Sequence, residues 1–251
     1  MKAGIIGAVD QEVKLLFAAL AESGKPVRVA RRGALEFHEG TLEGCPVVAV
    51  CCGVGKVNAA LCAQILISEF GVGCVINTGS AGGIDPALAV LDMVACTDAV
   101  QHDFDVTAFG YEPGRIPGTE SPFFEADPRL RELALEAYAR VRSRDPGANA
   151  PEGMGAAHRM IEGRVASGDV FVHDEGLRAR IVATFSPACV EMEGAAVAQV
   201  CKANGIPFAV LRSVSDLAGK GANMSYDEFS RIASEISAHV VMEMTRSLAR
   251  G

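Results

Sequence analysis

With 251 residues, 49% of them apolar, the chain is long enough to bury a sizeable α/β core. Its 27 glycines, 6% aromatics and lack of Trp suit an Ala/Val/Ile/Gly-rich enzyme better than an aromatic binding surface. A formal net charge of −8 argues against nucleic acid or an anionic membrane as partner, since both need a basic face.

The first apolar run, "AGIIGAV", reads as a short buried strand, followed by an amphipathic helix over about 10–23. "LEFHEGTLEG" alternates in polarity and "PVVAVCCG" is continuously apolar. Both read as strands, with Gly44-Cys45-Pro46 as the hairpin turn between them. "KVNAALCAQILISEF" predicts an amphipathic helix, "CVINTGSAGG" a buried strand ending in a Gly-rich turn, and "MVACTDAVQH" a further strand. Residues 104–124, rich in Gly, Pro and aromatics, read as a long functional loop. A polar helix over about 127–142 leads into "SRDPGANAPEGMGAAH", which reads as a surface insertion over about 143–158. There follow a strand ("IEGRVASGD"), a helix after Asp174, the segment "PACVEMEGAAVAQV", a strand ("PFAVLRSVSD") and a long helix from about Ser225. Strands alternate with helices and no internal repeat occurs, so one α/β domain over 1–251 with a largely parallel sheet is expected.

Eight cysteines (Cys45, Cys51, Cys52, Cys62, Cys74, Cys96, Cys189 and Cys201) lie mostly inside apolar runs, where a thiol behaves as a small hydrophobe. There is no CxxC pair and no Cys/His metal spacing. "MKAGIIGAV" reaches Gly and Asp too soon for a signal segment, and no apolar run is long enough to span a bilayer. The expected location is the reducing cytoplasm.

Two nucleotide-loop fingerprints fail. "CGVGKVN" has Asn58 where GxGxxG needs Gly, and Val57 where a P-loop needs Ser or Thr. "NTGSAGGID" is stronger: a buried strand runs into three glycines and Ser80, at the strand end where α/β sheets gather ligands. A tight turn would explain those glycines equally well. "QHDFD", with His102, Asp103 and Asp105, lacks a second His at ligand spacing and reads as a loop of hydrogen-bonded residues, not a metal site.

Acids follow apolar strands at three places: Glu12, the pair Glu191 and Glu193, and Asp216. Each alone reads as a cap or surface carboxylate. Gathered at one sheet edge, they would suit glycosidic cleavage, which needs one carboxyl group to deliver a proton and another to activate water.

"GIIGAVDQEV", "GVGKVNAA", "VINTGSAGGI", "HDFDVTAFGYEPG", "ASGDVFV", "VEMEGAAVAQVC" and "RSVSDLA" together resemble the 5′-methylthioadenosine/S-adenosylhomocysteine nucleosidases of the purine nucleoside phosphorylase superfamily. The resemblance runs nearly end to end and weakens between about 142 and 158. It implies a single α/β domain with a central mixed, barrel-like sheet flanked by helices. It also implies a homodimer without metal or cofactor and an adenine nucleoside as substrate. The implied reaction hydrolyses the N-glycosidic bond of methylthioadenosine, S-adenosylhomocysteine and 5′-deoxyadenosine, in methionine salvage.

By the same resemblance Glu12 activates water, and Asp216, beside Ser215, protonates the purine at N7. Glu193 grips the ribose hydroxyls, Met192 packs on the sugar, and Glu191 supports them. Phe171 and Val172 wall the base, Ser80 and Arg212 form the polar rim near ribose and water, and Gly82 also belongs to the substrate site. Val106 and Phe109 come from the neighbouring subunit. Tyr226 stands where Phe is common near the ribose and 5′ group. For Asp216 to hold a proton near neutral pH, burial must raise its pKa.

Three rivals differ in what they require. A phosphorylase on this scaffold needs a cationic phosphate site, yet residues 1–27 lack Arg and 71–97 lack Arg and Lys. An aminodeoxyfutalosine nucleosidase of menaquinone synthesis would differ only in the 5′ pocket. A non-catalytic nucleoside-binding protein would not need a general acid and base.

Overall fold

A computed structural model of the chain describes residues 1–143, 158–217 and 226–250, the side chains of 226–229 excepted. The 143–158 insertion therefore falls almost wholly outside the described residues, as does the Tyr226 side chain.

Strand β1 (Ala3–Gly7) is buried along its whole length. Helix α1 (Asp10–Glu22) buries Glu12, Val13, Leu16 and Leu20, the spacing of one helical face. Strands β2 (Arg28–Arg32), β3 (Leu35–Leu42) and β4 (Cys45–Cys51) form an antiparallel ribbon. The β3–β4 turn is Glu43-Gly44, one position earlier than expected, because Cys45 already pairs with Leu42 and Pro46 with Thr41. Both turn residues have positive φ, 50° and 88°, as a two-residue hairpin that follows strand twist requires.

Helix α2 (Lys56–Ser68) buries Ala59, Cys62, Ala63 and Leu66 but leaves Val57 78% and Leu61 54% exposed. It is apolar on both faces, a departure from the amphipathic helix expected. The remaining elements are β5 (Cys74–Gly83), β6 (Met93–Gln101), β7 (Phe123–Glu125), α3 (Pro128–Ser143), β8 (Met160–Ser167), α4 (Glu175–Phe185), β9 (Cys189–Glu191), α5 (Gly194–Asn204), β10 (Phe208–Asp216) and α6 (Tyr226–Leu248). The 104–124 loop holds one 3₁₀ turn, Thr107–Phe109.

The sheet is mixed, not largely parallel. β1–β4, β1–β5, β5–β10, β6–β8 and β8–β9 pair in parallel; β2–β3, β3–β4, β5–β9, β6–β7 and β6–β10 are antiparallel. Strands β10, β6, β8, β9 and β5 close into a ring through the β5–β10 pairing, and β1-β4-β3-β2 extends from β5 as an open arm. This is the barrel-like sheet that the family resemblance implies. One apolar cluster lies among β-strands, α2 and α5; a second packs α1, α3 and α6 on the sheet.

The closure leaves a gap. β10 occupies one edge of β5 from Val75 to Gly82. On the other edge β1 pairs only as far as Asn77, and β9 takes over at Gly82. Backbone groups of residues 78–81 on that edge thus need other partners.

Candidate active site

Glu12 fills the gap. As the third residue of α1 it reaches back, its Oε2 accepting the Ala8 N–H (2.7 Å) and the Val9 N–H (3.3 Å). Its Oε1 accepts the Ser80 N–H (2.9 Å) and Ser80 Oγ–H (3.3 Å) from the unpaired edge of β5. So close an approach requires Gly79, where a Cβ would stand 2.6 Å from Glu12 Oε1. Gly79, Gly82 and Gly83 have no positive φ and lie inside β5, so the expected Gly-rich turn is absent. Close approach, not turning, accounts for Gly79.

Asp216 reaches the crevice through a bulge. The β5–β10 register slips between Val214 and Asp216, so consecutive residues Ser215 and Asp216 both line the crevice, whereas a regular strand would turn them to opposite faces. Ser215 Oγ donates to Asp216 Oδ2 (3.0 Å). Burial raises the Asp216 pKa, and the Ser215 hydrogen bond offsets part of that rise. The direction is the one expected of a proton donor.

Glu191 ends β9 and Glu193 precedes α5. Glu191 Oε2 accepts the Glu193 and Gly194 N–H groups (3.0 and 2.8 Å) and pairs with Arg212 through Nε (3.1 Å) and Nη2. Its Oε1 accepts from Ser167 Oγ, which in turn accepts the Ala195 N–H (2.7 Å). Burial alone would raise the Glu191 pKa, but Arg212, Ser167 and the helix amides together hold it low. Glu193 is in the opposite condition. Burial first, then the Glu191 charge, push it up to about 7 against the pull of Arg212 and of the Gly55 N–H, which donates to Glu193 Oε1 (2.8 Å). One acid of the pair is a fixed anion and the other titrates near neutrality.

Arg212 is only 1% exposed and lies beneath the crevice rather than on its rim, a correction to the sequence expectation. Besides Glu191 it donates to Asn77 Oδ1 (2.6 Å), and its Nη2 lies 3.9 Å from Glu193 Oε2. Burial would depress its pKa, but Glu191 and Glu193 hold it above the usual value. Asn77 and Ser167 are the functional residues that sequence reasoning misses. Asn77 carries a signal, a polar residue directly after the apolar run of β5, whereas Ser167 ends a strand that also holds Glu162 and Arg164 and carries none.

The crevice is lined by Glu12, Ser80, Gly82, Phe171, Glu191, Met192, Glu193, Ser215 and Asp216, together with Ala8, Val9, Val54, Ala81 and Val190. Phe171 is 59% exposed at its mouth, whereas the Val172 side chain is buried with Ile84, Ala166 and Ile181, so only its backbone is left to meet a base. Val106 and Phe109 do not line this crevice; Phe109 is 81% exposed. A larger groove, about 760 Å³, runs between α1 and α6, but Lys14 and Arg231 mix there with Asp10 and Glu235, and the convergent acids are elsewhere.

Among the described residues no group of three or more His, Cys, Asp or Glu is placed to hold a metal. The "QHDFD" loop is hydrogen-bonded, as expected: Lys56 Nζ and the Asp169 N–H occupy Asp103, and Thr107 occupies Asp105. The cysteines are free, all but Cys51 are buried, and burial pushes the Cys52 thiol up to about 12, so none is a ready nucleophile.

Residues 2–246 match the family model of the phosphorylase superfamily. The 5′-methylthioadenosine/S-adenosylhomocysteine nucleosidase of Treponema pallidum (strain Nichols) is 46% identical, over 99% of this chain and 94% of its own. The fold is similar to the nucleosidase of that name from Neisseria meningitidis, solved in complex with methylthio-immucillin-A. The TM-score is 0.86 at 39% identity, covering 98% of this chain and 99% of that one. It is also similar to the futalosine hydrolase of Helicobacter pylori strain 26695, with TM-score 0.85, 33% identity and 97% of each chain covered.

Proposed function

The chain belongs to the phosphorylase superfamily and within it to the 5′-methylthioadenosine/S-adenosylhomocysteine nucleosidases, and from that premise we propose the reaction and the roles of its residues. The protein is an N-glycosyl hydrolase that splits methylthioadenosine and S-adenosylhomocysteine into adenine and a 5-thio-substituted ribose. The observation that carries the assignment of roles is the convergence of Glu12, Glu193 and Asp216 on one crevice from three separate segments.

Asp216 protonates the purine at N7, so the base leaves as a neutral molecule. General acid catalysis of this kind contributes about 10²–10⁴-fold. Its raised pKa supports a proton held for donation. Glu12, tied by amides at both oxygens, takes the proton of the attacking water. Positive charge develops on the ribose in the oxocarbenium-like transition state, where the anionic lining stabilises it. Glu193 grips the ribose hydroxyls, Met192 packs on the sugar, and Phe171 stacks on the base. Glu191 acts from below by holding Arg212. No cofactor is required by this chemistry.

Water is favoured over phosphate because no Arg or Lys side chain lines the crevice among the described residues, and Arg212 is already bound to Glu191. We place the enzyme in methionine salvage and in the cytoplasm, where eight free cysteines are at home. It is a homodimer in which Val106 and Phe109 cover the 5′-thio group of the neighbour's substrate. The likeness to a futalosine hydrolase favours one second reading, an aminodeoxyfutalosine nucleosidase differing only at the 5′ pocket.

A panel of methylthioadenosine, S-adenosylhomocysteine, 5′-deoxyadenosine and aminodeoxyfutalosine, assayed without phosphate, tests the reading. Adenine release from the first two is expected, and Asp216→Asn should lower kcat by about 10²–10⁴-fold. Strict phosphate dependence, or turnover of aminodeoxyfutalosine alone, would overturn it.

A further inference from the structure

Three motifs remain without a role in the reaction: the failed nucleotide loop at 53–56, the His-Asp loop at 102–103, and the Ser-Gly-Asp turn at 167–169. They meet at one point. The Gly55 N–H that donates to Glu193 Oε1 (2.8 Å) belongs to the residue just before α2, and α2 has no side-chain cap of its own. The next amide, Lys56 N–H, is taken by Asp169 Oδ1 (2.8 Å) from a distant segment. Asp169 donates its own N–H to Asp103 Oδ2 (2.9 Å), and Asp103 Oδ1 receives the Lys56 ammonium (2.7 Å). The ring of contacts thus returns to Lys56.

Two glycines make this closure possible. Gly55 has φ +99°, and a Cβ on it would stand 3.1 Å from Asp169 Oδ1. A Cβ on Gly168 would stand 2.4 Å from the His102 ring. The Lys56 ammonium also donates to Gln101 Oε1 (3.0 Å), and Gln101 Nε2 donates to Gln199 Oε1 (2.6 Å) on α5, the helix whose start carries Glu193. The Gly55 amide is therefore fixed both to its own helix and to that of the acid it holds.

We propose that Lys56, Asp103 and Asp169 form a clasp that positions the Gly55 amide, and through it the Glu193 carboxylate, against the ribose of the substrate. All three are positioning residues. The proposal rests on the reading of Glu193 as the ribose-gripping acid. A backbone amide is a stiff tether, and misplacing a gripping group by about 1 Å costs roughly 10²-fold in rate.

The test compares methylthioadenosine with its 2′-deoxy and 3′-deoxy analogues in the wild-type dimer and in Asp169→Ala, Asp169→Asn, Lys56→Met and Glu193→Gln. Asp169 is exposed, so folded variants are expected, and circular dichroism with Tm verifies this. Asp169→Ala and Lys56→Met should lose about 10–100-fold in kcat/KM on the ribonucleoside and much less on the deoxy analogue. The ribo-to-deoxy ratio should collapse toward that of Glu193→Gln. Asp169→Asn, which keeps an acceptor for the Lys56 N–H, should recover most of the ratio. If folded Asp169→Ala and Lys56→Met keep the wild-type ratio while Glu193→Gln loses it, the clasp is overturned and the Glu193 assignment stands. If Glu193→Gln leaves the ratio unchanged, the ribose assignment fails and the clasp with it.

Discussion

At the scale of residues, the site is a problem of four acids and one guanidinium in a largely buried place. Arg212 neutralises one carboxylate well and two poorly, and geometry decides which. Glu191 takes Arg212 directly and adds two helix amides and a serine, while Glu193 has one amide and Arg212 at 3.9 Å. Glu191 is thus the permanent anion and Glu193, at about 7, the proton acceptor of the pair. A buried pair of this kind is retained for position more than for stability, since breaking it costs several kcal/mol while the intact pair adds little. Stability should show the asymmetry. The folded pKa of Glu193 lies above its ordinary 4.5, so its contribution is fully present below that value and is lost as pH rises to about 7. Relative to wild type, Glu193→Gln should gain Tm progressively across that window and hold a constant difference above it. A Tm difference independent of pH, measured by calorimetry from about pH 4 to pH 8, would contradict this assignment.

At the scale of elements, the catalytic geometry follows from how β5 is shared. One strand serves β1, β9 and β10, and the stretch it leaves unpaired is where Glu12 is received. Gly79 is the contact that permits this. Gly79→Ala would press a methyl against a carboxylate that cannot retreat without abandoning the Ala8, Val9 and Ser80 amides. It should lower kcat by about 10²-fold and stability by about 1–3 kcal/mol. Near-normal kcat in a steady-state assay would remove Glu12 from its proposed role.

Much of this level was legible in the sequence, because β-branched runs and helical spacing report burial directly. Strand β2 was not: only Ala30 of its five residues is buried, so an edge strand reads as a polar segment. The continuation of β5 through its glycines was hidden because pattern reading assigns Gly to turns. The acids are legible because each follows an apolar strand. The depth of Arg212 is not legible, because its sequence neighbours do not reveal a partner 21 residues away.

At the scale of the whole molecule, the exposed apolar side chains are the unresolved account of this fold. Val54, Val57 and Leu61 lie on and before α2, and Phe109 and Tyr111 lie in the loop after β6, all substantially exposed. Asp103, which opens that loop, is bound to Lys56 at the start of α2, so loop and helix begin side by side. Large apolar groups left in water by a monomer are the mark of an interface, and a closed two-fold dimer hides them without creating new ones. α2 would then serve two masters: its first turn positions Glu193 through Gly55, and its outer face meets the second subunit. Leu61→Asp should therefore leave the chain folded but shift it from dimer to monomer in sedimentation velocity at micromolar concentration. If Val106 and Phe109 cover the neighbour's 5′ group as proposed, KM for methylthioadenosine should rise more than kcat falls, since the monomer keeps its acids. A wild-type chain that sediments as a monomer would overturn the interface, and a monomeric variant with unchanged KM would separate it from the active site.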